Sequence, residues 1–243
     1  MDIFEHLKQF KIIELHFLGI DLSVTNGAVN IFLAAALVLL FYFSISRRPK
    51  LVPDAFQSLG EYLIEFVKKE MLAPLGKEGE LWVPFIVTVF SYILCCNLLG
   101  LFPGLLPPTS NINVTASMAG IIFVTTQAVG IKKHGFFGYF WSIVPQGVPL
   151  PIAIFMFPIE IVGQLARPFS LAVRLFANMF AGHAIILILI GLILLFKSYL
   201  IAPLPVLGNV AIMGFEIFVS FIQAFIFTYL SASYIVGALQ TEH

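Results

Sequence analysis

Charge is scarce in this chain. Of 243 residues only 13 are Lys or Arg and 13 are Asp or Glu, 11% in all, against the about 25% of a typical soluble domain. With 60% hydrophobic residues and a mean hydropathy of +1.01, a soluble fold is excluded and an integral membrane protein is implied. The net charge is zero, so the electrostatic footprint of a nucleic-acid binder is missing. There are two cysteines, adjacent at Cys95 and Cys96. Vicinal cysteines rarely bridge each other, so they read as small apolar fillers. No HExxH, Walker, Rossmann or GxSxG pattern occurs, so hydrolase and nucleotide-binding chemistry lack their residues, and no cofactor or metal is expected. The N-terminus is mixed in charge and the first long apolar run starts near residue 28, so no signal peptide is expected.

What is present is a set of long apolar runs. Hydropathy predicts an all-α membrane protein of one domain, with about five crossing helices and one interfacial amphipathic helix. Residues 1–27 form an extramembrane segment. Crossings follow at 28–48, 82–102 and 113–131. Residues 150–196 and 204–238 form two long helices, joined through a turn rich in Pro and Gly around Pro203, Pro205 and Gly208. The first of these would be about 70 Å long against a bilayer core of about 30 Å, so it must tilt strongly, bend or double back. In residues 53–75, Phe56, Leu59, Leu63, Phe66 and Val67 fall on one helical face, with Glu61, Glu65, Lys68 and Lys69 elsewhere. That pattern predicts a helix lying at the membrane surface. Basic residues follow the first crossing (Arg47, Arg48, Lys50) and the third (Lys132, Lys133). Both ends are therefore expected in the cytoplasm, with the N-terminus outside and the C-terminus cytoplasmic.

From Gly135 to Thr241 there are only five charged residues: Glu160, Arg167, Arg174, Lys197 and Glu216. His183 is the one histidine of that region. Arg174 is the most telling. A guanidinium stays charged, and even lenient insertion scales put that cost at roughly 2.5–3.5 kcal/mol at a membrane-helix centre. Glu160, Arg167 and Arg174 are spaced by seven, so on a helix they share a stripe that drifts only about 20° per step. Asn178 follows one turn beyond Arg174 on the same side. His183 lies nine residues from Arg174, nearly opposite in azimuth and about 13 Å along the axis. In the last long segment Glu216, Ser220 and Gln223 form a second stripe. Arg174 holds charge and relays no proton, whereas Glu160, Glu216 and His183 can gain or lose one. Asn178, Gln164, Gln223 and Ser220 can hold water or bind an ion by hydrogen bonds. A fixed cation flanked by titratable groups suits a proton path with an electrostatic gate.

Plainer roles remain open for each residue. Arg167, before Pro168, could snorkel to an interface or pair with Glu160 as a structural tie. His183 could be a hydrogen-bonded interior histidine. Arg174 could bind an anionic substrate in a secondary transporter, although no internal repeat of the kind common in transporters is found. A scaffold subunit without any path is the third reading. The sequon Asn113-Val114-Thr115 abuts a span, which makes glycosylation there a weak reading.

The run Ser170-Leu171-Ala172-Val173-Arg174-Leu175-Phe176-Ala177-Asn178-Met179, with Ala181-Gly182, resembles the signature of the a subunits of F-type ATP synthases. The resemblance extends through Asn97–Gly104, Asn113-Val114-Thr115, Pro158-Ile159-Glu160 and Gln223–Phe227, and runs from about residue 25 to the end. It implies a multi-pass stator subunit of the ATP synthase membrane sector in a bacterial inner membrane. Such a subunit is not catalytic by itself and holds no ATP site. Its implied partners are a ring of c subunits, the peripheral-stalk b subunits and the other synthase subunits. The resemblance assigns Arg174 to the ring-facing position between two half-channels, and His183 with Glu216 to the outer one. It puts Glu160 near the inner path and Gln223 close to the arginine. Related sequences often carry Asp where this chain has Asn111, which weakens the idea of an acid at the outer mouth.

Overall fold

The structure is a computed structural model that describes residues 11–13, 16–17, 20–21, 24–47, 49–102, 105, 107–142, 149–196 and 203–239. Most of the N-terminal segment, Arg48, Lys197, Pro103, Gly104 and Ala202 lie outside the described residues. The fold is all-α. Before the first helix, two short antiparallel ladders pair β1 (Lys11–Ile13) with β4 (Val24–Thr25) and β2 (His16–Phe17) with β3 (Ile20–Asp21).

Among the described residues eight α-helices follow: α1 (Asn26–Arg47), α2 (Ala55–Phe66), α3 (Lys77–Glu80), α4 (Val83–Leu99), α5 (Ile112–His134), α6 (Phe136–Ser142), α7 (Leu150–Phe196) and α8 (Pro203–Leu239). Four of them, α1, α5, α7 and α8, are long and apolar enough to cross a membrane, and α4 is a shorter apolar helix of 17 residues. The five expected crossings are thus accounted for. Polar residues inside α5 do not spoil it as a crossing helix. Ser117, Thr125 and Thr126 turn their hydroxyls back onto the carbonyls of Asn113, Ile121 and Ile122, four residues earlier, so each is satisfied within its own helix.

Local chemistry sets the boundaries. Asn111 caps α5 by accepting a hydrogen bond from the Asn113 amide at 2.9 Å. Asparagine and aspartate are equally good at that task, so the position is accounted for by capping alone. Gly135, at φ +75°, ends α5 in a conformation that L side chains rarely adopt. Pro203 and Pro205 open α8, where a missing N–H costs nothing. Pro158 and Pro168 lie inside α7. Each leaves one carbonyl without its helical donor, which membrane helices tolerate.

The surface segment differs from a single regular helix. α2 passes into a π-helical turn at Val67–Leu72 and a 3₁₀ turn at Ala73–Leu75. Its apolar face is divided by packing. Val67, Met71 and Leu72 are buried in the core, while Phe56 is 73% exposed and Leu59 is exposed too. Gln57 and Gly60 are buried instead, because α2 rests on α1: a Cβ at Gly60 would overlap the Ile45 side chain. Phe66 then locks the segment to the bundle, with ring centroids 5.9 Å from Phe90, 5.7 Å from Phe221 and 5.9 Å from Phe225. Both cysteines are free, Cys96 fully buried and Cys95 partly so, as apolar fillers would be.

The run 150–196, which needed to tilt, bend or double back, is one unbroken helix of 47 residues. At 1.5 Å per residue it is about 70 Å long, so it can lie in a bilayer only at a strong tilt. α8 has 37 residues and packs against it.

Candidate functional site

Two contacts fix how α8 lies along α7. Near one end, Glu216 of α8 rests on Gly182 of α7: an added Cβ would lie 3.0 Å from Glu216 Cδ and 3.1 Å from its Cγ, and would overlap Oε1. Towards the other end, the Arg167 guanidinium sits 5.5 Å from the centroid of the Tyr234 ring, within cation–π range. The helices are therefore antiparallel. Gln223 follows Glu216 by seven residues and Arg174 precedes Gly182 by eight, so Gln223 stands near the level of Arg174.

Arg174 lies on the outside of this pair. Leu171, Ala172, Leu175 and Met179 are buried on the core side of α7. Arg174 is exposed, together with Ser170, Ala177 and Ala181, the positions four before, three after and seven after it. Among the described residues no carboxylate or other ion-pair partner reaches Arg174. Its neighbours on that face are small, so a second helix could approach the α7 backbone closely there. Asn178, one turn on, is half-buried.

The remaining polar residues fall into two groups on either side of Arg174. The first contains Glu216 and His183, both half-buried. Gly182, next to His183, supplies the space that the Glu216 carboxylate occupies. The second contains Glu160, Gln164 and Arg167. Arg167 Nη2 donates to Glu160 Oε1 at 3.3 Å, both side chains remaining partly exposed. Gln164 Oε1 accepts from Gln127 Nε2 of α5 at 3.2 Å.

The second stripe is partly covered. Ser220 is 1% exposed and Gln223 6%, because α4 packs over this part of α8. Asn97 Nδ2 donates to the Ser220 carbonyl at 3.3 Å, and Thr109 Oγ1 donates to Asn97 Oδ1 at 2.8 Å. Only Glu216 retains substantial exposure along that stripe. Sequence reasoning did not single out Gln127, Tyr139, Tyr234 or Thr109. Gln127 carries a detectable signal as an isolated amide in an apolar span; the others become meaningful only through their contacts. No group of three or more His, Cys, Asp or Glu side chains that could hold a metal ion exists among the described residues.

These features define a class: a multi-pass helical membrane protein built on an antiparallel pair of very long helices, with isolated charges along them. The chain matches the sequence profile of the ATP synthase A chain over residues 28–236, and it belongs to that family. An ATP synthase subunit a of Magnetococcus marinus is 42% identical over 252 residues, covering 98% of this chain and 93% of that protein. Another, of Chloroherpeton thalassium, is 41% identical over 230 residues, covering 92% of this chain and 69% of that one. A third, of Ehrlichia canis, is 36% identical over 241 residues and covers 98% of both. The resemblance read from the Arg174 region is thereby borne out.

Proposed function

We propose that this chain is the proton-conducting stator subunit of an ATP synthase membrane sector, with Arg174 separating two half-channels at the surface of a rotating c ring. Family membership supports a role as a membrane-sector subunit working with other synthase subunits. One observation carries the finer reading: a permanent cation is exposed, without an ion-pair partner among the described residues, on a helix face lined by small residues. Its partner is then a carboxylate on a second protein, brought close by the small neighbours.

The chemistry follows from charge. A ring carboxylic acid approaching Arg174 has its ionised form stabilised by the guanidinium, so its proton leaves. The proton departs along the path lined by Glu160, Gln164 and Arg167. On the other side, His183 and Glu216 deliver a proton to the next ring carboxylate, and both residue types suit protons. Arg174 also repels any proton moving straight from one group to the other. Each charge carried across 100 mV supplies about 2.3 kcal/mol, and the offset between the groups turns it into one-way rotation. The subunit is non-catalytic itself, and b subunits hold it against the ring. It lies in a bacterial inner membrane with the N-terminus outside and the C-terminus in the cytoplasm, in keeping with the basic residues that follow the first and third crossings.

Arg174→Ala is expected to abolish ATP-driven proton pumping in inverted vesicles while the complex still assembles. Arg174→Lys is expected to work poorly, because a desolvated lysine can release its proton. Full pumping by Arg174→Ala would sink the reading.

A further inference from the structure

On the inner side of Arg174 a chain of polar side chains reaches α7 from two other helices. Gln164 lies four residues after Glu160 and three before Arg167, on the same side of the helix and between the two members of the ion pair. Its backbone carbonyl has no helical donor, because the residue four positions on is Pro168. Its side-chain oxygen accepts from Gln127 of α5 at 3.2 Å. Gln127 lies one turn before Gly130, on which the Tyr139 ring is seated, so its amide stands beside the Tyr139 hydroxyl. Tyr139 comes from α6, the short aromatic helix that follows Lys132 and Lys133 and Gly135. It is only 4% exposed, whereas its neighbours Phe136 and Phe137 are 58% and 87% exposed. Its ring is seated on Gly130, where any Cβ would collide with it. Among the described side chains of α6 it is Tyr139 that turns inward, and it ends in a hydroxyl that a phenylalanine of the same shape would lack.

We propose that Tyr139 and Gln127 are positioning residues of the inner proton path, acting through Gln164 to hold its amide beside the Glu160–Arg167 pair. This rests on the reading of Glu160 and Gln164 as that path. The physical reason is orientation. A glutamine side chain has three torsions and, left alone on an apolar helix face, spreads over several rotamers. With its oxygen engaged by Gln127, the Gln164 amide N–H groups stay directed at the strip between Glu160 and Arg167, where they can hold water or a carboxylate oxygen. Tyr139 performs the same service for Gln127.

The test is passive proton conductance through the membrane sector, in vesicles stripped of the catalytic head, alongside the amount of assembled complex. Tyr139→Phe removes one oxygen and keeps the ring on Gly130. It is expected to assemble normally and to lower conductance several-fold. Gln127→Leu is expected to do the same, and the double variant to be no worse than either single one. Gln127→Glu, whose carboxylate has no N–H to donate to Gln164 Oε1, is expected to lose as much conductance as Gln127→Leu. Wild-type conductance in both single variants, additive losses in the double, or failure of both to assemble would overturn the proposal. Arg174→Ala run in parallel keeps the two readings apart. Retained pumping there removes the stator reading itself, whereas lost pumping there with normal Tyr139→Phe and Gln127→Leu removes only this inference.

Discussion

Gly182 of α7 is the seat of the Glu216 carboxylate of α8: a single methyl group added to the glycine would overlap Oε1 and lie 3.0 Å from Cδ. The contact joins a residue of no chemical capacity to one of the few acids in the second half of the chain. It gives a packing reason for a glycine beside His183.

Gly182→Ala is expected to move Glu216 without disrupting the helix pair. The obstructed atoms are the far end of a flexible side chain, and alanine favours helix over glycine by about 1 kcal/mol. The complex should assemble normally while passive proton conductance falls. Combining it with the shorter acid, Gly182→Ala with Glu216→Asp, should recover part of the flux. Unchanged conductance in Gly182→Ala would show that the position of this carboxylate is immaterial.

Glu216→Gln with His183→Ala should slow proton flow more than either change alone if the two groups deliver protons by parallel steps, and no more than the worse single change if they act in series. The measurement is the rate of pH equilibration in vesicles after a potassium diffusion potential is imposed. Wild-type rates in the double variant would assign both residues to structure.

Asn97 offers a stability test away from the proposed path. Asn97→Leu leaves the Thr109 hydroxyl, fully buried, without its acceptor, at a cost of about 1–3 kcal/mol. Adding Thr109→Val removes the stranded hydroxyl and should restore much of the loss. Thermal unfolding of the purified subunit in detergent should therefore place the single variant below both wild type and the double. A single variant as stable as wild type would show that the contact contributes nothing.

The chain's main elements were legible because membrane helices are specified by their own composition. The bilayer demands that backbone groups be satisfied within each segment, so an apolar run of sufficient length forms a helix whatever surrounds it. The cap at Asn111, the stop at Gly135 and the prolines opening α8 follow equally local rules. The surface segment was less legible. Its apolar residues were visible, but which of them meet the core depends on α1 lying across Gly60 and on the aromatic cluster round Phe66, neither of which is a property of residues 53–75.

Polar residues divide in the same way. Spacing alone put Arg174 on a stripe with Glu160 and Arg167, and an isolated charge in an apolar run marks itself. Spacing could not tell Glu216, which keeps some exposure, from Ser220 and Gln223, which α4 covers. It gave no reason to look at Gln127, Tyr139 or Gly182.

The sequence by itself determined that this is a membrane protein, where its long helices run, and that Arg174 is the charge to explain. Those properties depend on hydropathy and on the 3.6-residue repeat, which are local. The tertiary structure alone decided which groups share a site: Glu216 against Gly182, Arg167 over Tyr234, and Tyr139 through Gln127 to Gln164. Such pairings depend on the register and facing of helices distant in the chain, set by close packing of many side chains at once, and no single stretch of sequence contains that information.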